Sequence, residues 1–124
     1  MQGLHLMAEL RGCAAPADVM TDAQALRGHC LAAVEASGLH PVGDLFHRFA
    51  DAAATGVTGV VLLAESHLAV HTWPELGVVT LDVYVCNRGS DNAERARALL
   101  ARLETLFAPA DAERHAVQRG RAAA

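Results

Sequence analysis

The segment from Val57 to Cys86 limits the possible folds more than any other part of this chain. Val57 to Glu65 (VTGVVLLAE) is almost wholly apolar, HLAVHTW then alternates, and Val78 to Cys86 (VVTLDVYVC) alternates again with several branched side chains. Period two over such lengths is the mark of strands, and the breaks between the runs are too short for helices. The middle of the chain is therefore a sheet. Near the start, Leu4, Leu6, Ala8 and Leu10 alternate with His5, Met7 and Glu9, which adds a half-buried strand.

Two helices frame these strands. Thr21-Asp22-Ala23-Gln24 has the spacing of a capping box, which places a helix start at Thr21. Leu26, Cys30, Ala33 and Val34 then recur at three and four, and Gly38 marks the stop. A further strand follows Pro41, with Leu45, His47 and Phe49 on one side and Val42, Asp44, Phe46 and Arg48 on the other. Ala50 to Gly56 reads as a loop. After Asn87, Gly89, Ser90 and Asp91, the last helix carries Ala96, Leu99, Leu100, Leu103, Leu106 and Phe107 and ends at Pro109. A short closing strand is read around His115 to Gln118, and Arg121 to Ala124 should fray. The expected fold is α+β, a two-layer sandwich of a mostly antiparallel sheet with two helices on one face. One domain, 1–124, accounts for the chain. The other sheet face is left for a ligand, another subunit or both.

Composition narrows the function. The chain is 52% hydrophobic and 19% charged, which excludes a disordered reading. A net charge of −4 argues against a nucleic-acid groove or a basic membrane-binding face. No apolar run approaches membrane-spanning length, and MQGLHLMAEL lacks the basic start of a signal peptide, so a cytoplasmic protein is expected. Cys13, Cys30 and Cys86 form no disulfide framework. All ten basic residues are Arg, and Lys is absent. A pyridoxal-phosphate enzyme holding its cofactor on its own Lys, a Lys Schiff-base enzyme and a Walker A nucleotidase are thereby excluded. Amine-directed chemistry would need a carbonyl from elsewhere.

Strand parity gathers the chemical side chains. His67, Ala69, His71 and Trp73 share a face opposite Leu68, Val70 and Thr72, while Thr80, Asp82, Tyr84 and Cys86 lie opposite Val79, Leu81, Val83 and Val85. His67 and His71 would stand about 13 Å apart on a strand, and chelation would need His5 or His47 from other strands. No metal site is expected. Ser66 has no nucleophile elbow, since it falls between two strands. Taken singly, Cys86 reads as a buried small hydrophobe, His71 as a satisfied strand histidine, Trp73 as a sheet or interface aromatic, Phe49 as core and Glu75 as a turn residue.

Together these residues say more. The run AESHLAVHTWPE, Ala64 to Glu75, resembles the signature of the prokaryotic S-adenosylmethionine decarboxylase proenzymes, which are pyruvoyl-dependent. GLHLMAEL, FHRF, GVTGVVLLAES, LDVYVC and VQRG fall in that family's order and extend the resemblance over nearly the whole chain. It implies autocatalytic cleavage of a zymogen between Glu65 and Ser66 into 1–65 and 66–124. Ser66 would become the pyruvoyl group, so no pyridoxal phosphate and no metal are implied. That would supply the carbonyl a chain without Lys lacks. The same resemblance makes Cys86 the acid that protonates the substrate carbon, a role a thiol titrating near ~8.5 can fill. His71 would assist processing, and Thr58 would stand where the family usually has serine. Phe49 and Trp73 would meet the adenine and sulfonium, and Glu75 the ribose. S-adenosylmethionine would be the substrate, giving the aminopropyl donor for spermidine synthesis, and processed protomers would pair as a dimer with a shared cleft.

Two departures bear on the substrate. The Ala50 to Thr55 link is longer than the family's and adjoins Phe49, and Leu4 stands where many members carry a basic residue. A pyruvoyl-dependent arginine or ornithine decarboxylase on the same scaffold is the alternative, and a non-catalytic interaction protein is the alternative of another class.

Overall fold

The computed structural model describes residues 1–51 and 53–121. The frayed end expected at Arg121 to Ala124 falls, for residues 122–124, outside the described residues, as does Ala52 of the loop. The elements run β1 (Gln2–Arg11), α1 (Ala17–Thr21), α2 (Ala23–Ala36), β2 (Pro41–Arg48), β3 (Val57–Leu63), β4 (Ser66–Trp73), β5 (Val78–Cys86), α3 (Ala93–Phe107) and β6 (Asp111–Gly120). The strands form one sheet in the order β2-β3-β4-β5-β1-β6, with every neighbouring pair antiparallel. The helices cover one face. Among the described residues, no helix is long and apolar enough to cross a membrane.

The core follows from alternation. Leu4, Leu6, Ala8 and Leu10 of β1, Leu68 and Val70 of β4, and Val79, Leu81, Val83 and Val85 of β5 are all buried. They meet Leu26, Cys30 and Val34 of α2 and Leu99, Leu103 and Phe107 of α3, recurring at helical spacing. Burial pushes the Cys30 thiol up to about 12, so this cysteine is an inert packing residue. Phe46 lies across Gly59 on the neighbouring strand. A Cβ at Gly59 would overlap the Phe46 ring, so only glycine admits that packing.

Four local expectations change. The cap of α2 is Asp22, not Thr21: its carboxylate accepts the N–H of Gln24 at 2.9 Å and of Ala25 at 3.3 Å. Thr21 instead closes the additional short helix α1, its hydroxyl donating to the Ala17 carbonyl at 2.8 Å. Strand β6 is ten residues long rather than a stub around His115 to Gln118, because its backbone pairs with β1 from Asp111 to Gly120 while its side chains, Ala112 excepted, stay outside the core. In β2 a register shift between Pro41 and Gly43 breaks the alternation. Val42 is therefore exposed rather than grouped with Asp44 and Phe46. Asp44 turns to α2 and accepts Arg27 Nε at 2.7 Å. Cys86 also departs from the alternation, as described with the site below.

Among the described residues the most buried polar side chain is Thr72, 4% exposed. Its hydroxyl donates to the Met20 carbonyl at 2.7 Å and accepts the Val57 N–H at 2.9 Å, tying α1 and β3 to β4. Thr72→Val keeps the shape and orphans both backbone groups. Each such loss costs about 1–3 kcal/mol, so the variant is expected to lose about 2–5 kcal/mol in urea unfolding. An unchanged midpoint would show that water satisfies both groups.

Candidate active site

Strands β3 and β4 meet in a two-residue hairpin, Ala64-Glu65, with Leu63 paired to Ser66. Glu65 has φ 57, a left-handed conformation that costs a residue with a Cβ roughly 1–2 kcal/mol. The backbone bond after it is Glu65–Ser66, so the carbonyl that precedes the Ser66 side chain belongs to the strained residue. Ser66 Oγ accepts the Cys86 N–H at 3.1 Å, which joins the hairpin to the end of β5.

Cys86 is 7% exposed, although strict alternation groups it with the half-exposed Thr80, Asp82 and Tyr84. The sheet ends here, and the loop to α3 folds over the thiol. The Arg88 N–H donates to Cys86 Sγ at 3.4 Å. Asn92 sits at the N-cap of α3 but makes no side-chain cap; its Nδ2 donates to the Cys86 carbonyl at 2.9 Å instead. The Asn92 N–H in turn reaches Asn87 Oδ1 at 2.9 Å, and the Asn87 N–H reaches the Gln2 carbonyl at 2.8 Å. Arg88 thus meets the thiol itself, while Asn92 and Asn87 fix the backbone that carries it. Sequence reading names only Asn87 among the residues that end the sheet and passes over Arg88 and Asn92; the one signal is two asparagines between a strand and a helix, where side chains bond to the backbone.

A second group lies further along the sheet. Phe49, Thr58, His71, Trp73 and Glu75 line one pocket of about 270 Å³. Thr58 and His71 are cross-strand partners, with Oγ1 and Nδ1 3.1 Å apart. The His71 and Trp73 rings lie 5.9 Å apart at 31°. The long Ala50 to Thr55 link does not carry Phe49 away. It closes at its base through the Phe49 N–H to the Gly56 carbonyl at 2.9 Å. A Cβ at Gly56 would overlap the Thr72 carbonyl, so glycine permits this close approach at the pocket's edge.

The two groups do not meet within one chain. Ser66 opens β4 and His71 follows five residues later, a separation of roughly 16 Å along an extended strand. Five is also an odd step, so their side chains leave opposite faces. One protomer thus presents Ser66 with Cys86 at one place and Thr58 with His71, Phe49, Trp73 and Glu75 at another.

The family model described as S-adenosylmethionine decarboxylase matches residues 4–120, which contain both groups. The chain belongs to the S-adenosylmethionine decarboxylase family. The S-adenosylmethionine decarboxylase proenzyme of Moorella thermoacetica is 33% identical over 118 residues, covering 95% of this chain and 87% of that protein. The corresponding proenzyme of Pyrococcus horikoshii is 35% identical over 106 residues, covering 86% and 73%. The crystal structure of the adenosylmethionine decarboxylase from Aquifex aeolicus vf5 superposes with a TM-score of 0.84 at 31% identity, covering 98% of this chain and 92% of that one. The S-adenosylmethionine decarboxylase fold thus accounts for the whole sheet and its helical layer. The relatives' description as proenzymes is consistent with a pyruvoyl group.

Proposed function

We propose that this member of the S-adenosylmethionine decarboxylase family cleaves itself between Glu65 and Ser66 and decarboxylates S-adenosylmethionine as the paired fragments 1–65 and 66–124. The observation that carries this reading is the Ser66 hydroxyl, held by the Cys86 N–H immediately after a left-handed Glu65. The Ser66 Oγ attacks the Glu65 carbonyl carbon, and the Glu65–Ser66 C–N bond breaks to leave an ester and a free amine. Loss of the Ser66 α-proton expels the Glu65 carboxylate and leaves a carbon–carbon double bond at residue 66. Tautomerisation and addition of water then release ammonia and leave a pyruvoyl group at position 66. Cleavage releases strain stored at Glu65 and leaves both fragments held by the sheet.

The residues suit the group they would form. In the substrate reaction the pyruvoyl group supplies an electrophilic carbonyl that captures the amine and takes up the electrons left by departing carbon dioxide. Cys86, fixed beside Ser66, donates the proton that returns to the substrate carbon. Phe49 and Trp73 offer flat faces to an adenine and a sulfonium, and Glu75 an acceptor for ribose hydroxyls.

His71 serves from a second copy. The separation of Ser66 from the Thr58–His71 pair along β4 supports a dimer in which each protomer lends that pair, and its aromatic pocket, to the other's Ser66 and Cys86. Ser66→Ala and His71→Ala chains are each expected to stay inactive alone. Produced together, they should yield some cleaved His71→Ala chain, because its Ser66 then meets His71 from the partner. Mixed dimers showing no cleavage would place the processing histidine within the same chain or assign the task to another group.

The substrate is tested by carbon dioxide release from S-adenosylmethionine, L-arginine and L-ornithine at equal concentration on fully processed protein. S-adenosylmethionine should be the one consumed, and Trp73→Ala should lower kcat/KM by about two- to tenfold, the worth of one aromatic stack. Release from arginine or ornithine alone would keep the mechanism and change the substrate. A chain that stays whole would instead favour a non-catalytic interaction protein.

A further inference from the structure

A third cluster lies outside both groups. On the open face, His67 of β4, Tyr84 of β5 and His5 of β1 occupy one cross-strand row. Asp82 stands two residues before Tyr84 on the same face, between the two histidines. His5 Nε2 and His67 Nε2 each lie 2.9 Å from the same atom, Asp82 Oδ2. The three donor atoms all fall within 4.8 Å of one another. The side chains are about one-fifth to one-third exposed, so the cluster is supported from below and open above.

We infer that His5, His67 and Asp82 bind one divalent transition-metal ion of the zinc class. Two borderline imidazole nitrogens and one carboxylate oxygen make a donor set that zinc accepts, and three protein ligands leave a further position for water. Metal–ligand bonds of about 2.0–2.2 Å place neighbouring donor atoms about 3.3 Å apart, so the 2.9 Å contacts need to open by only a few tenths of an ångström. Each ligand comes from a different paired strand, which limits the reorganisation needed. Sequence spacing points away from a metal because His67 and His71 stand far apart on one strand; the register instead sets His67 and His5 on either side of Tyr84, in one row with β5 between them.

The proton inventory closes without an outside acid or base. An ionised carboxylate only accepts, so the two 2.9 Å contacts require each imidazole of the metal-free cluster to carry its proton on Nε2. An ion at Nε2 moves each of those protons to Nδ1, a change of tautomer with no net loss. The Arg119 guanidinium, 3.4 Å from His5 Nδ1, must then give up that contact. It already lies over the Tyr84 ring, 4.7 Å from its centroid, and can stay there. Glu9 and His115 also line the adjoining pocket, and of these groups Arg119 is the fixed positive charge opposing a cation. The cluster exists in the uncut chain and does not depend on cleavage. If cleavage occurs as proposed, the ion would link fragment 1–65, through His5, to fragment 66–124.

Purified protein stripped with EDTA and desalted should take up one Zn²⁺ per chain with micromolar or tighter affinity in calorimetry. His5→Gln and His67→Gln should each weaken binding at least tenfold, whereas His115→Gln should not. Arg119→Gln should tighten it severalfold by removing the opposing charge. Imidazole nitrogen NMR on the wild-type protein, which needs no folded variant, should show His5 and His67 passing from Nε2–H to Nδ1–H on Zn²⁺ addition, with the other five imidazoles unchanged. Zn²⁺ held equally well without His5 or His67, spread over the other histidines, or bound only at millimolar concentration would overturn the assignment.

Discussion

Ser66→Ala is expected to remain a single chain of 124 residues through prolonged incubation at neutral pH. Alanine removes the hydroxyl that, in the proposed chemistry, attacks the Glu65 carbonyl and then departs with the Glu65 carboxylate, so neither the ester nor the elimination that leads to the carbonyl at position 66 can occur. Decarboxylation should therefore fall to background, the largest effect any substitution here should have. Under denaturing conditions wild-type protein should separate into 1–65 and 66–124, the second lighter by one ammonia than plain hydrolysis would leave it. Intact-mass measurement reads both results. A wild-type chain that stays whole, or a Ser66→Ala chain that still splits at the same bond, would remove the proposed chemistry. The variant should retain the wild-type fold, since Ser66 Oγ lies at the start of its strand and is tied to β5 through the Cys86 N–H, outside the apolar core.

Cys86→Ala separates processing from turnover. Its backbone N–H still reaches Ser66 Oγ, and the Asn92 bond goes to its carbonyl, so the scaffold around the cleavage site survives the loss of sulfur. Cleavage should proceed to a useful extent. Turnover of S-adenosylmethionine by the processed variant should drop about 10²–10⁴-fold, the usual contribution of a general acid. Wild-type turnover would show that another group supplies the proton. Failure of cleavage would show that the thiol itself, through the Arg88 N–H contact or otherwise, takes part in processing.

What can be read from the residues is whatever depends on neighbours in the chain. Leu4 to Leu10, Leu68 to Thr72 and Val79 to Val85 announce their buried faces because strand side chains alternate, and the structure buries the expected members. The stripe from Ala96 to Phe107 does the same for a helix. The family signature spanning Ala64 to Glu75 is also local, which is why Ser66, His71, Trp73 and Glu75 could be named from the residues alone.

Other properties belong to no single segment. The length of β6 comes from its backbone pairing with β1, a partner some hundred residues away, and its exposed side chains leave no alternating pattern to read. Asp22 caps α2 because α1 ends at Thr21, which only the path of the chain after Pro16 reveals. Cys86 is buried because Asn87, Arg88 and Asn92 wrap the sheet's end, against the parity of its own strand.

The separation of Ser66 from His71 and the convergence of His5, Asp82 and His67 have one cause. Along a strand, distance grows by about 3.3 Å per residue, so nearness in sequence becomes separation in space. Across strands, hydrogen-bond register brings together residues that the sequence keeps far apart. The strands, their buried faces and the residue types available for chemistry are properties of local sequence. Register, set by backbone pairing between distant segments, decides which of those residues share a site.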